Sequence, residues 1–209
     1  MQLNIIGAGL AGCEAALWLA DRGVQVDLYE QKPTKFSPAH KSEGFAELIC
    51  SNSLKAERPD SASGLLKIEM KMMGSHLLDA AETARVAAGG ALAVDRDVFS
   101  TAVTEMVEKN SDITVHREEV TALDESVPVL VASGPLTEGV LAEQIAALTG
   151  DTGLLWSNEV VRNRAAILSS NLERMGVRNT VVSSVYPEML AEKPVSYTHL
   201  RAHETLANL

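Results

Sequence analysis

The chain opens on a short apolar run, Gln2 to Ile6, that stops at a cluster of glycines, Gly7, Gly9 and Gly12. Apolar residues then follow a helical pattern, with Ala15, Ala16, Leu17, Leu19 and Ala20 supplying one side, and Gly23 closes the helix. Val24 to Tyr29 is a second strand and ends on Glu30. Strand, glycine turn, helix and strand within roughly 30 residues is the pattern of a βαβ unit. Further on, a helix is predicted from about Asp97 to Lys109, its apolar side made by Val98, Phe99, Ala102, Val103, Met106 and Val107. Ile113 to His116 and Val127 to Ala132 are strands, the latter closing on Ser133-Gly134-Pro135. Two segments rich in small residues, Phe45 to Leu54 and Ala87 to Arg96, follow neither period. Beyond residue 150 a strand is predicted over Leu154 to Glu159. An amphipathic helix follows over Val161 to Met175, with Ala165, Ile167, Leu168, Leu172 and Met175 as its apolar positions, stopped by Gly176. Thr180 to Val182 is a further strand.

At 209 residues the chain allows one domain, or one and a fragment. With 46% hydrophobic and 22% charged residues it is ordinary globular material. Its apolar runs fall short of the ~18 residues a spanning helix needs, and no basic segment precedes an apolar stretch at the start. A cytoplasmic protein without membrane association is the expectation. Two cysteines, Cys13 and Cys50, make neither a disulfide framework nor a four-ligand zinc site. The net charge is −10, and all of the acidic excess lies in residues 1–150. A nucleic-acid site would therefore have to be a local basic patch.

The glycine turn carries the first chemistry. Gly7 permits a tight turn out of the strand, Gly9 allows the backbone to approach a pyrophosphate, and Gly12 lets the helix pack closely on the strands. The helix N-terminus then presents N–H groups and its positive dipole end to phosphate. Glu30 is placed to accept hydrogen bonds from ribose hydroxyls, which favours FAD or NAD over NADP. Ala16 and Gly23 also fall where this fingerprint wants small residues. A glycine-rich turn with no ligand is the alternative.

Four stretches together resemble one family. They are Ile6 to Ala16 with Leu28-Tyr29-Glu30, Phe45 to Leu54, Gly89 to Arg96, and Ser133-Gly134-Pro135-Leu136-Thr137. The family is the folate- and FAD-dependent tRNA (uracil-5-)-methyltransferases (TrmFO/Gid), and the resemblance is collinear over residues 1–150. It implies an α/β fold: the N-terminal part of an FAD-binding Rossmann-type domain of the two-dinucleotide-binding flavoproteins. It also implies methylation of the T-loop uridine of tRNA to ribothymidine. Methylenetetrahydrofolate is then the carbon donor, FAD the carrier and reductant, and NAD(P)H the source of electrons for the flavin. Gly7, Ala8, Gly9, Leu10, Ala11, Gly12 and Glu30 map onto FAD-binding positions, and Gly134 onto a second flavin approach. Cys50 matches the family's motif cysteine, as nucleophile or proton donor; the alternative is a buried small hydrophobe. Cys13 is expected to serve helix packing. His40, Lys41 and Lys55 meet RNA or folate, or are solvated surface charge. Arg96 belongs to the cofactor site or to a salt bridge with a neighbouring acid.

After Gly150 the sequence departs from that pattern, so no turnover is expected of the chain by itself. Residues 153–190 resemble a strand-helix-strand piece of the S-adenosylmethionine-binding region in Sun-type RNA cytosine-C5 methyltransferases, with Glu159 as the ribose-binding acid. This offers an alternative function, without the glycine-rich loop and cysteines that such enzymes carry. Val195 to Thr205 resembles a translated sequencing adapter. His199 and His203 stand four residues apart, but no third ligand accompanies them and no metal is expected. The expected divisions are 1–150, 151–194 and 195–209.

Overall fold

The computed structural model describes residues 2–124, 126–134, 137, 139–148, 155–158, 166, 169–170 and 180–183. They fall into two compact units, Met1–Leu136 and Thr137–Leu209. Along the first run β1 (Gln2–Ile6), α1 (Leu10–Ala20), β2 (Gln25–Tyr29), β3 (Ser53–Ala56), α2 (Ala62–Met72) and α3 (His76–Thr83). β4 (Arg85–Val86), β5 (Ala91–Val94), α4 (Arg96–Glu108), β6 (Ile113–His116) and β7 (Val129–Val131) complete it.

The main sheet has the order β6-β2-β1-β7, and every neighbouring pair is parallel. Ile6 lies opposite Tyr29 on one side and Val131 on the other, and Tyr29 lies opposite His116. Successive strands thus leave β1 in opposite directions across the sheet. In open α/β sheets the crevice at such a reversal, outside the strands' carboxyl ends, is where ligands bind. The order and the α1 crossover are those of a Rossmann-type nucleotide fold.

Alternation along the strands decides which face is covered. Val26 and Leu28 are buried with Ile5 and Ile113 on one face, while Asp27 and Tyr29 stand on the other. Against the apolar face pack Cys13, Ala16, Leu17 and Ala20 of α1, Phe99, Val103 and Val107 of α4, and Leu77, Leu78 and Ala81 of α3, as one core cluster. Polar ends fix the helices. Asp95 caps α4 by accepting the N–H groups of Asp97 and Val98. Ser75 caps α3, assisted by Glu14 of α1, whose carboxylate accepts the N–H groups of His76 and Leu77.

Residues 53–94 contain elements that periodicity did not predict. β3, β5 and β4 form an antiparallel sheet, and the small-residue segment around Gly89-Gly90 is the connection between β4 and β5. Phe45 to Asn52 is an irregular segment that leads into β3. α2 leaves Leu65, Leu66 and Ile68 on the surface, which is why no buried stripe marks it. The strand expected over Val127 to Ala132 is confined to Val129–Val131. Pro128 has no N–H to give a ladder, but its carbonyl accepts the Asn4 N–H at 2.9 Å.

In the second unit, α5 (Gly139–Leu148) precedes β8 (Leu155–Asn158) and β9 (Thr180–Ser183), which pair in parallel with Leu155 opposite Thr180. Of the helix expected over Val161 to Met175, the described residues Ala166, Ser169 and Ser170 are helical. Glu159, His199, His203 and the segment Val195 to Thr205 lie outside the described residues. Among the described residues no helix is long and apolar enough to cross a membrane, and no cluster of His, Cys, Asp and Glu could hold a metal ion.

Candidate nucleotide site at the glycine turn

The three motif glycines are there for different reasons. Gly7 has φ +103°, and a Cβ on it would lie 2.7 Å from the Ala132 carbonyl oxygen at the end of β7. A Cβ on Gly12 would lie 1.8 Å from the Gly7 carbonyl oxygen, so only glycine lets α1 sit this close to the turn. Gly9 differs from both. Its φ of −77° suits any residue, and a Cβ there would meet nothing within 4 Å. The fold itself makes no demand for glycine at this position, but a ligand lying against the backbone would.

Gly9 is also the N-cap of α1 and offers no side chain to its first turn. That turn contains no acidic residue, so its N–H groups and the positive end of the dipole are left for an anion. Leu10 is half-buried and Ala11 exposed at this end, and Ala8 is buried beneath it. Gly134, with φ +79°, follows the Ala132–Ser133 backbone that abuts Gly7, so the chain places it near the glycine turn.

Glu30 is buried at the tip of β2. Its Oε2 accepts the Ala8 N–H at 3.1 Å, and its Oε1 accepts the Lys32 N–H at 3.0 Å. Each carboxylate oxygen retains capacity for a further donor, as the ribose role requires. Beneath the turn, the Cys13 thiol donates to the Ala8 carbonyl at 3.3 Å. Burial, and then the Glu30 charge, push that thiol up to about 12. Cys13 is therefore a packed, protonated core residue, as expected of it.

A strap from Lys41 to Leu48 is pinned against this turn. The Ala46 N–H donates to the Ala8 carbonyl at 2.9 Å, and Phe45 is bonded to α4 through Thr104 and Ser100. The Arg117 guanidinium lies 4.1 Å from the centre of the Phe45 ring. Lys32, itself buried, donates to the Gly44 carbonyl at 2.6 Å and stands 3.6 Å from the Glu47 carboxylate. Cys50 follows the strap and is exposed, which removes the reading of it as a buried hydrophobe. Three residues lie between it and Ala46, which limits the separation to at most about 14 Å.

The basic candidates are scattered in role. His40 is half-buried, with its Nδ1 2.6 Å from the Ser37 hydroxyl, Lys41 is exposed, and Lys55 is half-buried with φ +71°. Arg96 is exposed at the start of α4 and makes no ion pair among the described residues, so the salt-bridge alternative is not formed there. A cavity of about 250 Å³ beside α4 is lined by Glu43, Asp97 and Glu105 with several hydroxyls. Its three carboxylates disfavour phosphate there. Lys32, Ala46 and Glu47 escaped the sequence reading because their partners lie far along the chain, and no local spacing rule pairs them.

Several known proteins are similar to this chain. The methylenetetrahydrofolate–tRNA-(uracil-5-)-methyltransferase TrmFO of Acetivibrio thermocellus is 52% identical over 149 residues, covering 71% of this chain and 34% of that protein. The protein of the same name from Streptococcus pneumoniae is 54% identical over 151 residues, covering 72% and 34%. The chain thus spans about a third of the length of these relatives. Among solved structures, that of Aquifex aeolicus GidA matches with a TM-score of 0.46 at 17% identity, over 59% of this chain and 20% of that one. A family model described as glucose inhibited division protein A matches residues 2–192, running through the segment that resembles a cytosine methyltransferase, so that alternative is not favoured. With a match over nearly its whole sequence, the chain belongs to the glucose inhibited division protein A family.

Proposed function

We propose that this chain provides the FAD site of a methylenetetrahydrofolate-dependent tRNA (uracil-5-)-methyltransferase. One observation carries the cofactor reading: Gly9 is a glycine the fold does not need, at the uncapped N-terminus of α1. The backbone from Gly7 to Gly12, including Ala8, Leu10 and Ala11, would hold the pyrophosphate, Glu30 the ribose hydroxyls, and Gly134 the second stretch of the cofactor. When bound, FAD supplies the carrier and reducing chemistry for the transferred carbon. The choice of methylenetetrahydrofolate, tRNA uracil and the T-loop position is supported by 52–54% identity to enzymes named for the first two and by the motifs that resemble them. NAD(P)H as electron source and a cytoplasmic setting belong to the same reading.

Cys50 is assigned as nucleophile or proton donor at its Sγ, supported by its exposure and by the strap that ties its neighbours to the glycine turn. The first 150 residues are strongly acidic, so contacts to tRNA from this region would be made by local basic groups.

The reading is tested by purifying the chain and recording flavin absorbance with and without added FAD. FAD is expected to bind, and Gly9→Val to abolish binding while the protein stays folded. Failure of the wild-type chain to take up FAD would overturn the cofactor assignment. Labelled methylenetetrahydrofolate, NAD(P)H and tRNA then test the activity. Labelled 5-methyluracil, lost in Cys50→Ala, supports it; none, with flavin bound, limits the chain to holding FAD.

A further inference from the structure

We propose that Lys32 and Glu47 are positioning residues that tie Cys50 to the nucleotide turn, so that occupation of the turn alters the reactivity of the thiol. This rests on the FAD-site reading and adds a route by which the two parts communicate.

Glu30 is a branch point. One carboxylate oxygen holds the Ala8 N–H and the other the Lys32 N–H. From Ala8 the route passes through its carbonyl to the Ala46 N–H. From Lys32 it passes along the side chain to the Gly44 carbonyl and the Glu47 carboxylate. Both routes end in the same short segment, Gly44 to Glu47. That segment is held under tension and charge. Ala46 has φ +50°, a left-handed conformation that a residue with a Cβ keeps only where its surroundings enforce it. Glu47 Oε1 accepts the N–H groups of Lys41 and Ser42, whereas its Oε2 is fully buried without a hydrogen-bond partner and faces the Lys32 ammonium.

Cys50 sits just beyond, between buried Leu48 and Asn52, whose carbonyl accepts the Val94 N–H. A ligand hydroxyl that donates to Glu30 must share its oxygens with the Ala8 and Lys32 N–H groups. It therefore acts on both routes together. The exposed Cys50 thiol reports the result, because the only other cysteine, Cys13, is buried.

The test uses ADP, which carries the ribose and pyrophosphate but no flavin ring to cover the thiol. Alkylation of the full chain by N-ethylmaleimide is timed with and without saturating ADP, with binding measured by calorimetry. ADP is expected to change the Cys50 rate by about fivefold or more. Glu47→Gln alone strands the buried Lys32 charge, so the decisive variant is the double substitution Lys32→Met, Glu47→Gln, which removes both charges. It should bind ADP and lose the rate response. ADP bound with an unchanged wild-type rate overturns the coupling and leaves the FAD site standing. A response that survives in the double variant overturns the role of Lys32 and Glu47. Absence of ADP binding in a chain that takes up FAD overturns the coupling and leaves the FAD site standing, and absence of both overturns the nucleotide reading as well.

Discussion

The Glu30 carboxylate accepts the Ala8 N–H at 3.1 Å, joining the end of β2 to the turn that follows β1. The residue proposed to hold a ribose is thus also the residue that shapes the glycine turn. Its second oxygen does the same for the Lys32 N–H. The proposed ligand recognition and the satisfaction of two backbone N–H groups meet on one buried side chain.

Glu30→Ala leaves both of these N–H groups, each in a buried residue, without their acceptor. An orphaned buried donor costs about 1–3 kcal/mol. The variant should unfold at clearly lower urea concentration than the wild type as well as fail to bind FAD. Glu30→Gln keeps one acceptor oxygen, so its loss of stability should be smaller. Urea titrations followed by circular dichroism would compare the three proteins, and equal midpoints would show that Glu30 does not hold the turn.

The glycines separate fold from ligand. Gly12→Ala forces a Cβ to 1.8 Å from the Gly7 carbonyl oxygen, and should destabilise by about 1–3 kcal/mol or more. Gly9→Ala places its Cβ in open space at an ordinary φ, so stability should change by less than about 1 kcal/mol while FAD affinity falls. Thermal melts paired with flavin titrations distinguish the two. A Gly9→Ala protein with wild-type FAD affinity would count against the pyrophosphate lying there.

Cys13 sets an alkaline limit. Its folded thiol ionises at about 12 against an ordinary value of 9.0, the shift coming from burial first and the Glu30 charge second. In the unfolded chain the thiol loses its proton sooner. Its contribution is therefore complete below pH 9 and declines as pH rises towards 12, by up to about 1.4 kcal/mol per pH unit. Denaturation midpoints from pH 8 upward should fall more steeply for the wild type than for Cys13→Ala. Parallel slopes would mean that the thiol does not titrate differently on unfolding.

On the opposite face of the sheet, Asp27 accepts hydrogen bonds from Gln2 at 2.6 Å and pairs with His116 at 2.7 Å, and the His116 ring stacks on Tyr29. Burial by itself would raise the Asp27 carboxyl, but these hydrogen bonds and the His116 charge outweigh it and hold the group below its ordinary value of 3.8. A depressed carboxyl stabilises the fold above its unfolded pKa, and that stabilisation disappears as pH falls through the folded one. Asp27→Asn should be less stable than the wild type at neutral pH, with the gap narrowing below pH 4. A gap independent of pH would assign the loss to packing alone.

What the sequence determined by itself is local. Gln2–Ile6, the glycine turn, α1 and β2 are legible because each follows from a short-range rule: apolar alternation, helical recurrence and the spacing of glycines. The same rules place α4 and β6, and they pick out Gly7, Gly9, Gly12 and Glu30 because their chemistry needs those residue types close together in the chain. Tertiary structure decided the rest. It alone brings Ala132 against Gly7, which makes β7 the neighbour of β1 and sets Gly134 beside the turn. Only folding pairs Lys32 with Glu47 and Ala46 with Ala8, and only folding shows that α2 carries Leu65 and Leu66 outward. Helix and strand periods record which face of one element is apolar. They hold no record of which distant element meets that face, because such contacts arise when the chain closes its long loops around a common core.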